Sequence, residues 1–433
     1  MRFTTEPAVE RLYGLVANEE DARVCTDISD EACREVPGNF FLMLSSLVLT
    51  KIGDLLINPK TVLAWLIGAV GAPPALVAWL VPIRESGSLI PQLIIAAQIR
   101  RQPHRKPVWV IGSTLQGLCV LAMGISVYLL EGTAAGLAVV GLLIAWSLSR
   151  GLCSVAMKDV QGKCIPKTRR GRLAGLASTF SGVATLVITM LAFSTNRDPS
   201  LPFYTGLLFG AGLLWMGAAL LFSRIDEFAG ETAGGGNALN DAIRSLSLLK
   251  WDKPFRDFVM TRGLLMASAL GAPFLVVLTQ DGGGWMLGSF VLASALASML
   301  SAGIWGWMAD VSSRLVMVRA GALAALVCLT GACLALAAEG DKTLGWIYPG
   351  LFFVLAVAHD GVRIGRKTYL VDMAGGNKRT DYVAVSNTVI GVLLLVVGGL
   401  SALASSISPA VALLLLAAMG LTGAVSAVRL PTV

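Results

Sequence analysis

Charge is scarce in this sequence of 433 residues. Asp, Glu, Lys and Arg together make up 14% of the chain, apolar residues make up 55%, and the mean hydropathy is +0.73. A soluble globular domain carries about 25% charged residues, so this composition excludes a soluble protein. It predicts an integral protein of the lipid bilayer, with room for about twelve spans of roughly 20 residues.

Several signatures of enzymes and pumps are also missing. The two histidines and seven cysteines do not show the Cys/His spacing of a metal site. No GxxxxGK[ST] phosphate loop occurs, which argues against ATP-driven pumping. We therefore expect no metal, no cofactor and no catalytic residues. Cys25 and Cys33 are too far apart for a CxxC motif, and a disulfide framework is not predicted.

Apolar runs predict the membrane spans. We place them at 39–66, 74–98, 107–130, 133–156, 172–194, 202–223, 255–279, 284–308, 315–337, 344–368, 383–404 and 407–429. Connections between them are short, except for one polar stretch after the sixth span. The chain therefore divides into six spans, a linker and six further spans.

The boundaries of these units follow from composition. Residues 1–37 hold nine Asp/Glu against four Arg and lack a signal-peptide pattern, so we expect an acidic cytoplasmic segment. The six-span units are 38–223 and 254–433. In the linker 224–253, apolar residues at helical spacing predict an amphipathic helix on the membrane surface. These are Leu239, Ala242, Ile243, Leu246 and Leu249.

The net charge of +7 is concentrated in short loops, which argues against nucleic-acid binding. Loop 99–106 holds four cations and region 158–172 holds six, whereas the opposite loops carry little beyond Arg197 and Lys342. Positive loops stay on the cytoplasmic side of a membrane. We therefore expect both termini in the cytoplasm, and a multi-pass protein of the bacterial inner membrane.

A weak internal repeat relates the two six-span units. A shift of 209 residues places “RRQPHRKPVWVIG” over “ADVSSRLVMVRAG”, with Arg105 over Arg314 and Gly112 over Gly321. The same shift places “KTRR” (167–170) over “GNKR” (376–379). One common offset at two places indicates two homologous halves.

The loop after the eighth span carries a recognisable motif. “GWMADVSSR” supplies Gly306, Asp310 and Arg314 in the spacing G-x-x-x-D-x-x-x-R. Over roughly residues 38–430 the chain resembles the major facilitator superfamily of secondary transporters, which carries this motif after spans two and eight. In the first copy only the arginine, Arg105, is kept. “IPKTRRGRLAGL” between spans four and five, with Arg170, also resembles the family.

The resemblance has several implications. It implies an all-α membrane protein with twelve transmembrane helices in two pseudo-symmetric six-helix bundles, acting as a monomer by alternating access. Spans one, four, seven and ten would line the cavity. Gating residues would be Arg105, Arg170, Gly306, Asp310 and Arg314. Span five lacks the proline-containing antiporter motif of the family, which lowers the case for a drug/proton antiporter.

Ionisable residues inside the spans are the strongest candidates for a site, because charge is costly in hydrocarbon and rare without a partner or water. The candidates for substrate binding or coupling are Lys51, Asp54, Arg84, Glu85, Arg150, Arg262, His359, Asp360 and Arg363. Lys51 and Asp54 share one helix face. Asn58-Pro59 predicts a break in span one. Arg84 and Glu85 are adjacent, so we expect them to meet different partners, Asp54 and Lys51 first.

The balance of these charges is positive. Five cations (Lys51, Arg84, Arg150, Arg262 and Arg363) face three acids (Asp54, Glu85 and Asp360). Such an excess attracts an anion, so we predict transport of a small organic anion. Asp54 or Glu85 is a candidate for proton coupling.

Other interpretations remain open. The charges are also compatible with salt bridges that close a cytoplasmic gate. His359 is either a proton relay or a hydrogen-bonded packing residue. The alternatives to anion transport are proton-driven export of amphipathic or cationic compounds, an intramembrane enzyme, and a sensor or lipid-handling protein built on the same fold.

Overall fold

The computed structural model describes residues 10, 13, 30–91, 95, 98, 99, 101–195, 200–229, 232, 246–279, 284–337, 345–373 and 378–432. Regular secondary structure across these ranges is helical, which confirms the all-α prediction. Most of the segment 1–37, and most of the amphipathic helix predicted in the linker 224–253, lie outside the described residues. Cys33 is disulfide-bonded, contrary to the expectation from sequence.

Long helices make up the fold. In chain order they are α1 (Val36–Leu56), α2 (Val62–Ala69), α3 (Val77–Leu89), α4 (Lys106–Leu129), α5 (Gly132–Cys164), α6 (Lys167–Thr195), α7 (Leu201–Ser223), α8 (Lys253–Leu264), α9 (Ala272–Val277), α10 (Gly284–Ala337), α11 (Ile347–Met373), α12 (Lys378–Ile407) and α13 (Pro409–Val428). Short helices precede α1 at Asp30–Arg34, α3 at Pro74–Leu76, α8 at Leu248–Trp251 and α9 at Ala267–Leu270.

Ten helical segments within the described ranges are long and apolar enough to cross a membrane, against the twelve expected from sequence. Within the described residues the predicted span 74–98 does not qualify, because α3 has only 13 residues and ends at Leu89. In the predicted span 284–308, the apolar helix Trp285–Ser301 is shorter than the roughly 20 residues that cross a bilayer core.

The break predicted in span one is present. α1 ends at Leu56 and α2 begins at Val62, so Asn58 and Pro59 lie between the two helices. The Asn58 side chain accepts a hydrogen bond from the Lys60 backbone N–H at 2.9 Å, which is the geometry of an Asx turn. This turn stabilises an irregular backbone in the middle of the span and fixes the direction in which the chain continues.

Helix α3 packs between one helix from each half of the sequence. On one side Gly87 approaches α5 so closely that an added Cβ would lie 2.4 Å from the Cβ of Ser147. On the other side Gly398 of α12 meets the ring of Pro82, where an added Cβ would lie 2.5 Å away. The Ser86 hydroxyl donates to the Gly391 carbonyl at 2.8 Å. α3 therefore lies at the contact between the two halves.

The two spans predicted at 284–308 and 315–337 form one 54-residue helix with a bend. Ser312 interrupts α10 with extended backbone, at φ −164° and ψ 103°. The Ser312 hydroxyl accepts a hydrogen bond from the Leu315 N–H at 3.3 Å, which starts the helix again. The bend falls inside “GWMADVSSR”, the motif that the sequence places between two spans.

Candidate functional site

Three helices of the first half bring their charges to one point. Arg150 of α5 donates from Nη1 to both carboxylate oxygens of Asp54 on α1, at 2.7 and 2.8 Å. Arg84 of α3 lies 3.3 Å from the same carboxylate through Nη2. Asp54 is only 24% exposed, so one carboxylate balances two guanidinium groups in a mostly enclosed setting. Arg84 and Asp54 meet as expected from sequence.

Trp146 supports both arginines. It lies one turn before Arg150 on α5 and is fully buried. The guanidinium carbons of Arg150 and Arg84 lie 5.3 and 5.7 Å from its ring centroid, within cation–π range. Trp215 of α7 contacts the ring edge-on at 5.6 Å. Trp146 is not among the residues predicted from the sequence, although a tryptophan four residues before an intramembrane arginine is a readable signal.

Glu85 faces an open space among several helices. Its side chain is 49% exposed, and its nearest cation is Arg84, with Oε1 and Nη1 3.8 Å apart. Arg84 and Glu85 thus lie beside each other, contrary to the expectation of entirely separate partners. The charges of Arg150, Lys60 and Arg366, which belong to other parts of the fold, also act on Glu85. Glu85 is therefore the most exposed acid of this charged group, compared with Asp54 and Asp360.

Lys60 is a second residue that the sequence analysis missed. It lies in the break between α1 and α2, where the charges of Glu85 and Asp360 act on it. Among the described residues no carboxylate comes within 4 Å of its ammonium group. Its position directly after Asn58-Pro59 was a usable signal, since helix breaks often border transporter sites.

Lys51 does not join this group directly. Its ammonium group donates to the hydroxyl of Ser178 on α6, and it forms no ion pair with a described residue although Asp54 lies one turn away. The shared helix face of Lys51 and Asp54 therefore does not bring them into a salt bridge. Lys51 joins α1 to α6 instead.

The charges of span ten form a second group. Asp360 of α11 is buried, accepts a hydrogen bond from Ser301 of α10 at 2.8 Å, and pairs with Arg363 at 2.9 Å. Arg363 is half-exposed, so this pair borders the open space. His359 shares a 3.1 Å hydrogen bond with Ser268, in the short helix between α8 and α9. A hydrogen bond to a serine is compatible with both the packing role and the proton-relay role of His359.

Arg262 is buried without an acidic partner in the described part of the chain. Its guanidinium donates to the hydroxyl of Ser386 at 2.5 Å and to the side-chain carbonyl of Asn387 at 3.0 Å, both on α12. Arg366 likewise has no acidic group within 4 Å among the described residues. These cations, with Lys60, leave the interior positively charged.

A buried apolar contact joins the two halves of the chain at α2. α2 packs against α9, and both helices contain fully buried apolar side chains such as Leu66 and Leu275. On spans four and ten, by contrast, the side chains of Lys158, Arg363 and Lys367 are exposed.

A hydrogen-bond network around Glu227 holds Arg105, a candidate gating residue of the first half. This network could not be predicted from the sequence. Glu227, after α7, accepts hydrogen bonds from the backbone N–H groups of Arg105 at 2.8 Å and Lys106 at 2.7 Å. Lys163 at the end of α5 donates to Glu227 at 2.9 Å. The Glu227 side chain is fully buried, and it places a negative charge at the start of α4, where a helix favours one.

The remaining candidate gating residues lie at helix ends or in open positions. Arg105 pairs with Asp159 at 3.5 Å. Arg170 donates to the carbonyls of Ile165 and Gly162, which end α5, at 2.9 and 2.8 Å. Arg314 donates to the Leu430 carbonyl at 2.9 Å. A Cβ on Gly306 would meet no atom within 4 Å, and Asp310 is exposed.

No group of three or more metal-binding side chains occurs within the residues that the structure describes. What the charged cavity can do is bind an anion, through guanidinium and ammonium groups held on several helices, or exchange a proton at Glu85. Anion binding is non-covalent, and proton exchange makes and breaks only the O–H bond of the Glu85 carboxyl group.

The sequence profile described as the Major Facilitator Superfamily matches residues 43–398 of the chain. No match was found among curated proteins. Similar solved structures cover nearly the whole chain at low identity. A D-xylose-proton symporter shares 13% identity at a TM-score of 0.68, covering 90% of this chain and 97% of the other. A mutant form of the nucleoside transporter NupG shares 12% at 0.67, covering 90% and 99%.

A third similar structure was solved in a named conformation. The inward-open xylose transporter XylE from E. coli shares 12% identity at a TM-score of 0.63, covering 92% of this chain and 97% of the other. At identities this low, the similarity shows only that these proteins share a fold.

Proposed function

Because the chain belongs to the major facilitator superfamily of secondary transporters, we propose that it carries a small organic anion across the membrane by alternating access. Membership makes the protein a transporter rather than an enzyme. The observation that carries the proposed anion is the cavity charge. Lys60, Arg262 and Arg366 have no acidic partner within 4 Å among the described residues, and arginine forks suit carboxylates.

The proposed architecture follows the sequence prediction. Residues 38–223 and 254–433 form two six-helix bundles joined by the linker 224–253. Besides the ten long apolar segments, the bent helix α3 and the shorter helix Trp285–Ser301 supply the two further crossings. Pro82 and the close contact at Gly87 explain why α3 can cross as an irregular helix.

We place the protein in the bacterial inner membrane with both termini in the cytoplasm. The cation-rich loops 99–106 and 158–172 then lie on the cytoplasmic side. The buried apolar contact between α2 and α9 is the outer gate, and the cavity opens to the cytoplasm. The acidic segment 1–37 lies on the same side, and the protein acts as a monomer.

Proton coupling is assigned to Glu85 in preference to Asp54. Asp54 accepts hydrogen bonds from Arg150 and pairs with Arg84, so both of its carboxylate oxygens are occupied. Glu85 is half-exposed and meets Arg84 only at 3.8 Å. Among the similar structures, a D-xylose-proton symporter and a fucose:proton symporter are proton-coupled by description, which supports a symport mechanism here. Proton-driven export of cationic compounds would instead need an acidic cavity, and cations outnumber acids in this one.

The experiment is uptake by proteoliposomes that contain the full chain. Organic anions, cations and neutral sugars are offered with and without an inward proton gradient. Anion uptake is expected to rise with the gradient, and Arg150→Gln is expected to reduce it at least tenfold. Arg429→Gln, at an exposed position beyond α13, serves as the control. Uptake of cations or sugars with no uptake of any anion would overturn the proposal.

A further inference from the structure

A surface groove lies between the two halves of the chain. Its volume is about 520 Å³, within the roughly 300–1,000 Å³ range of small-molecule sites. One wall comes from the short helix before α3 and the first turn of α3, and the other wall comes from the end of α12. The main lining residues are Ala75, Trp79, Val396, Gly399, Leu400 and Leu403.

We propose that this groove binds one acyl chain of a bilayer lipid, which fills the edge of the contact between the two halves. The lining residues are different from the charged residues to which substrate binding is assigned. The lipid site is therefore additional to the proposed transport, and it does not depend on the charge of the substrate.

The groove offers almost nothing to a polar ligand. Its one hydroxyl group, on Ser406, already donates to the Leu403 carbonyl at 2.7 Å. The indole N–H of Trp79 is the other polar side-chain group among the lining residues. A polar ligand would give up its hydrogen bonds to water here and regain almost none of them, which costs free energy. An apolar chain has no such cost.

The groove opens on a side of α12 that is exposed and apolar. Val396, Leu400 and Leu403 are 54%, 50% and 69% exposed, and Val392, one turn earlier, is 50% exposed. These residues belong to Val385–Ile407, one of the segments that are long and apolar enough to cross a membrane. In a membrane, exposed leucine and valine side chains contact lipid chains, which are as apolar as they are. Lipid chains therefore surround the opening of the groove.

The length and depth of the groove match one leaflet of a bilayer. From Val396 to Ser406, α12 rises by about 15 Å. The hydrocarbon core of a bilayer is roughly 30 Å thick, so one leaflet contributes about half of that thickness. Ser406 is next to the last residue of α12, and Val396 is at the middle of the crossing segment Val385–Ile407. The lipid chains of the leaflet at the Ile407 end therefore extend over the depth of the groove.

The groove borders a close contact between the two halves. An added Cβ on Gly398 would lie 2.5 Å from the ring of Pro82, so no space remains there. An added Cβ on the next residue, Gly399, would lie 3.4 Å from the ring of Trp79, which is an ordinary contact distance. Alternating access changes the relation between the two halves. A lipid chain that touches both walls therefore stabilises the arrangement described here.

Photolabelling of the full chain in proteoliposomes tests the location. A phospholipid with a diazirine in the middle of one acyl chain is added at rising mole fraction, and labelled residues are mapped by mass spectrometry. Labelling of Trp79, Leu400 and Leu403 is expected to saturate at a mole fraction at least tenfold lower than labelling of Leu213 and Leu220. These two leucines of α7 are 63% and 59% exposed and represent ordinary lipid contact.

Gly399→Leu is the matching variant, because its side chain would fill the groove beside Trp79. It is expected to reduce the saturable labelling of Leu403 at least tenfold and to leave labelling of Leu213 unchanged. Gly206→Leu is the matched control, at an exposed position of α7 where an added Cβ meets no atom within 4 Å. That control should label as the wild type does.

Thermal stability gives a second measurement. Added phospholipid should raise the melting temperature of the delipidated wild-type protein, and the rise should be at least twofold smaller in Gly399→Leu than in Gly206→Leu. Size-exclusion chromatography shows whether each variant is folded. The labelling of the wild-type chain decides even if Gly399→Leu is not.

Three outcomes would overturn the lipid site. Groove labelling that rises in proportion to the mole fraction, as on α7, would show that lipid chains contact the groove only as solvent. Groove labelling that is weaker than on α7 and rises when the protein is diluted in the bilayer would identify a second copy of the chain as the occupant. Saturable labelling that persists in a folded Gly399→Leu variant would place the bound chain elsewhere. Anion uptake is measured separately, so a failure of this proposal is distinguishable from a failure of the proposed function.

Discussion

Arg150 reaches across from α5 and holds both oxygens of the Asp54 carboxylate on α1, at 2.7 and 2.8 Å. One nitrogen, Nη1, is shared between the two oxygens, so the contact joins α1 to α5 at the level of these charges. Arg84 shares the same carboxylate, so the removal of one acid affects three helices at once.

Asp54→Asn is therefore expected to destabilise the protein and to abolish transport. It leaves two guanidinium groups with a neutral partner, and loss of a charged partner in a partly buried pair costs about 2 kcal/mol. The measurement is the denaturation midpoint of the purified protein together with uptake. Asp310→Asn, at an exposed position in α10, is the control and should change the midpoint little. A midpoint equal to that of the wild type would show that the ion pair does not hold α1 to α5.

Gly87→Ala is expected to separate α3 from α5. The new Cβ would lie 2.4 Å from the Cβ of Ser147, which cannot move without its helix, and overpacking of this kind costs about 1–3 kcal/mol. Gly141→Ala is the matched control on α5, because a Cβ there meets no atom within 4 Å. That variant should be neutral or stabilised by about 0.5–1 kcal/mol, since alanine is the better helix former. Equal melting temperatures for the two variants would contradict the close packing.

Glu227→Gln is expected to weaken the start of α4 and to change transport kinetics. The buried carboxylate accepts hydrogen bonds from two backbone N–H groups and pairs with Lys163. The amide keeps an acceptor but loses the charge, for a cost of about 1–2 kcal/mol. Lys163→Gln should destabilise the protein in the same direction. A double variant whose effect equals the sum of the two single effects would indicate that Glu227 and Lys163 do not interact.

Tyr382 is expected to make stability depend on pH in the alkaline range. Its hydroxyl donates to the carboxylate of Asp252, the residue that begins α8. Burial, together with this carboxylate, raises the pKa of Tyr382 to about 12. The unfolded value is about 10, so the unfolded chain loses its proton first and stability falls as pH rises from about 10 to 12.

Tyr382→Phe is the matching variant. It should be less stable than the wild type at pH 8 by about 1 kcal/mol, the value of one hydrogen bond. It should also lose less stability than the wild type between pH 10 and 12, because phenylalanine does not titrate. Denaturation midpoints across that range measure both effects, and parallel curves for the two proteins would contradict the assignment.

The sequence predicted which residues are unusual but not which helices they face. Asp54, Arg84 and Arg150 were recognisable because charges are rare in apolar runs, and the structure brings all three together. Lys51 was equally recognisable, yet it contacts Ser178 on α6. Helical periodicity gives the residues that share one face, whereas the helix opposite that face depends on long-range packing.

The residues that were missed illustrate the same limit. Trp146 has no charge, and its apolar neighbours predict a residue that faces lipid or the protein core. Glu227 falls in a polar stretch after α7 that composition assigns to the linker. Lys60 lies just past a helix break, where a cation reads as part of a loop. Trp146 and Lys60 carry a local signal, four residues before Arg150 and directly after Asn58-Pro59, but that signal does not identify their partners, which lie far away in the chain as they do for Glu227.

The break at Ile57–Thr61 places Lys60 and the start of α2 on one short piece of backbone. Lys60 precedes the first residue of α2 by two positions, and α2 forms the buried apolar contact with α9. α1, on the other side of the break, is anchored by Asp54 to α3 and α5. Because α1 and α2 are held by different neighbours, we expect a change in the backbone at Ile57–Thr61 to move the eight-residue helix α2 against α9 while α1 stays joined to α3 and α5.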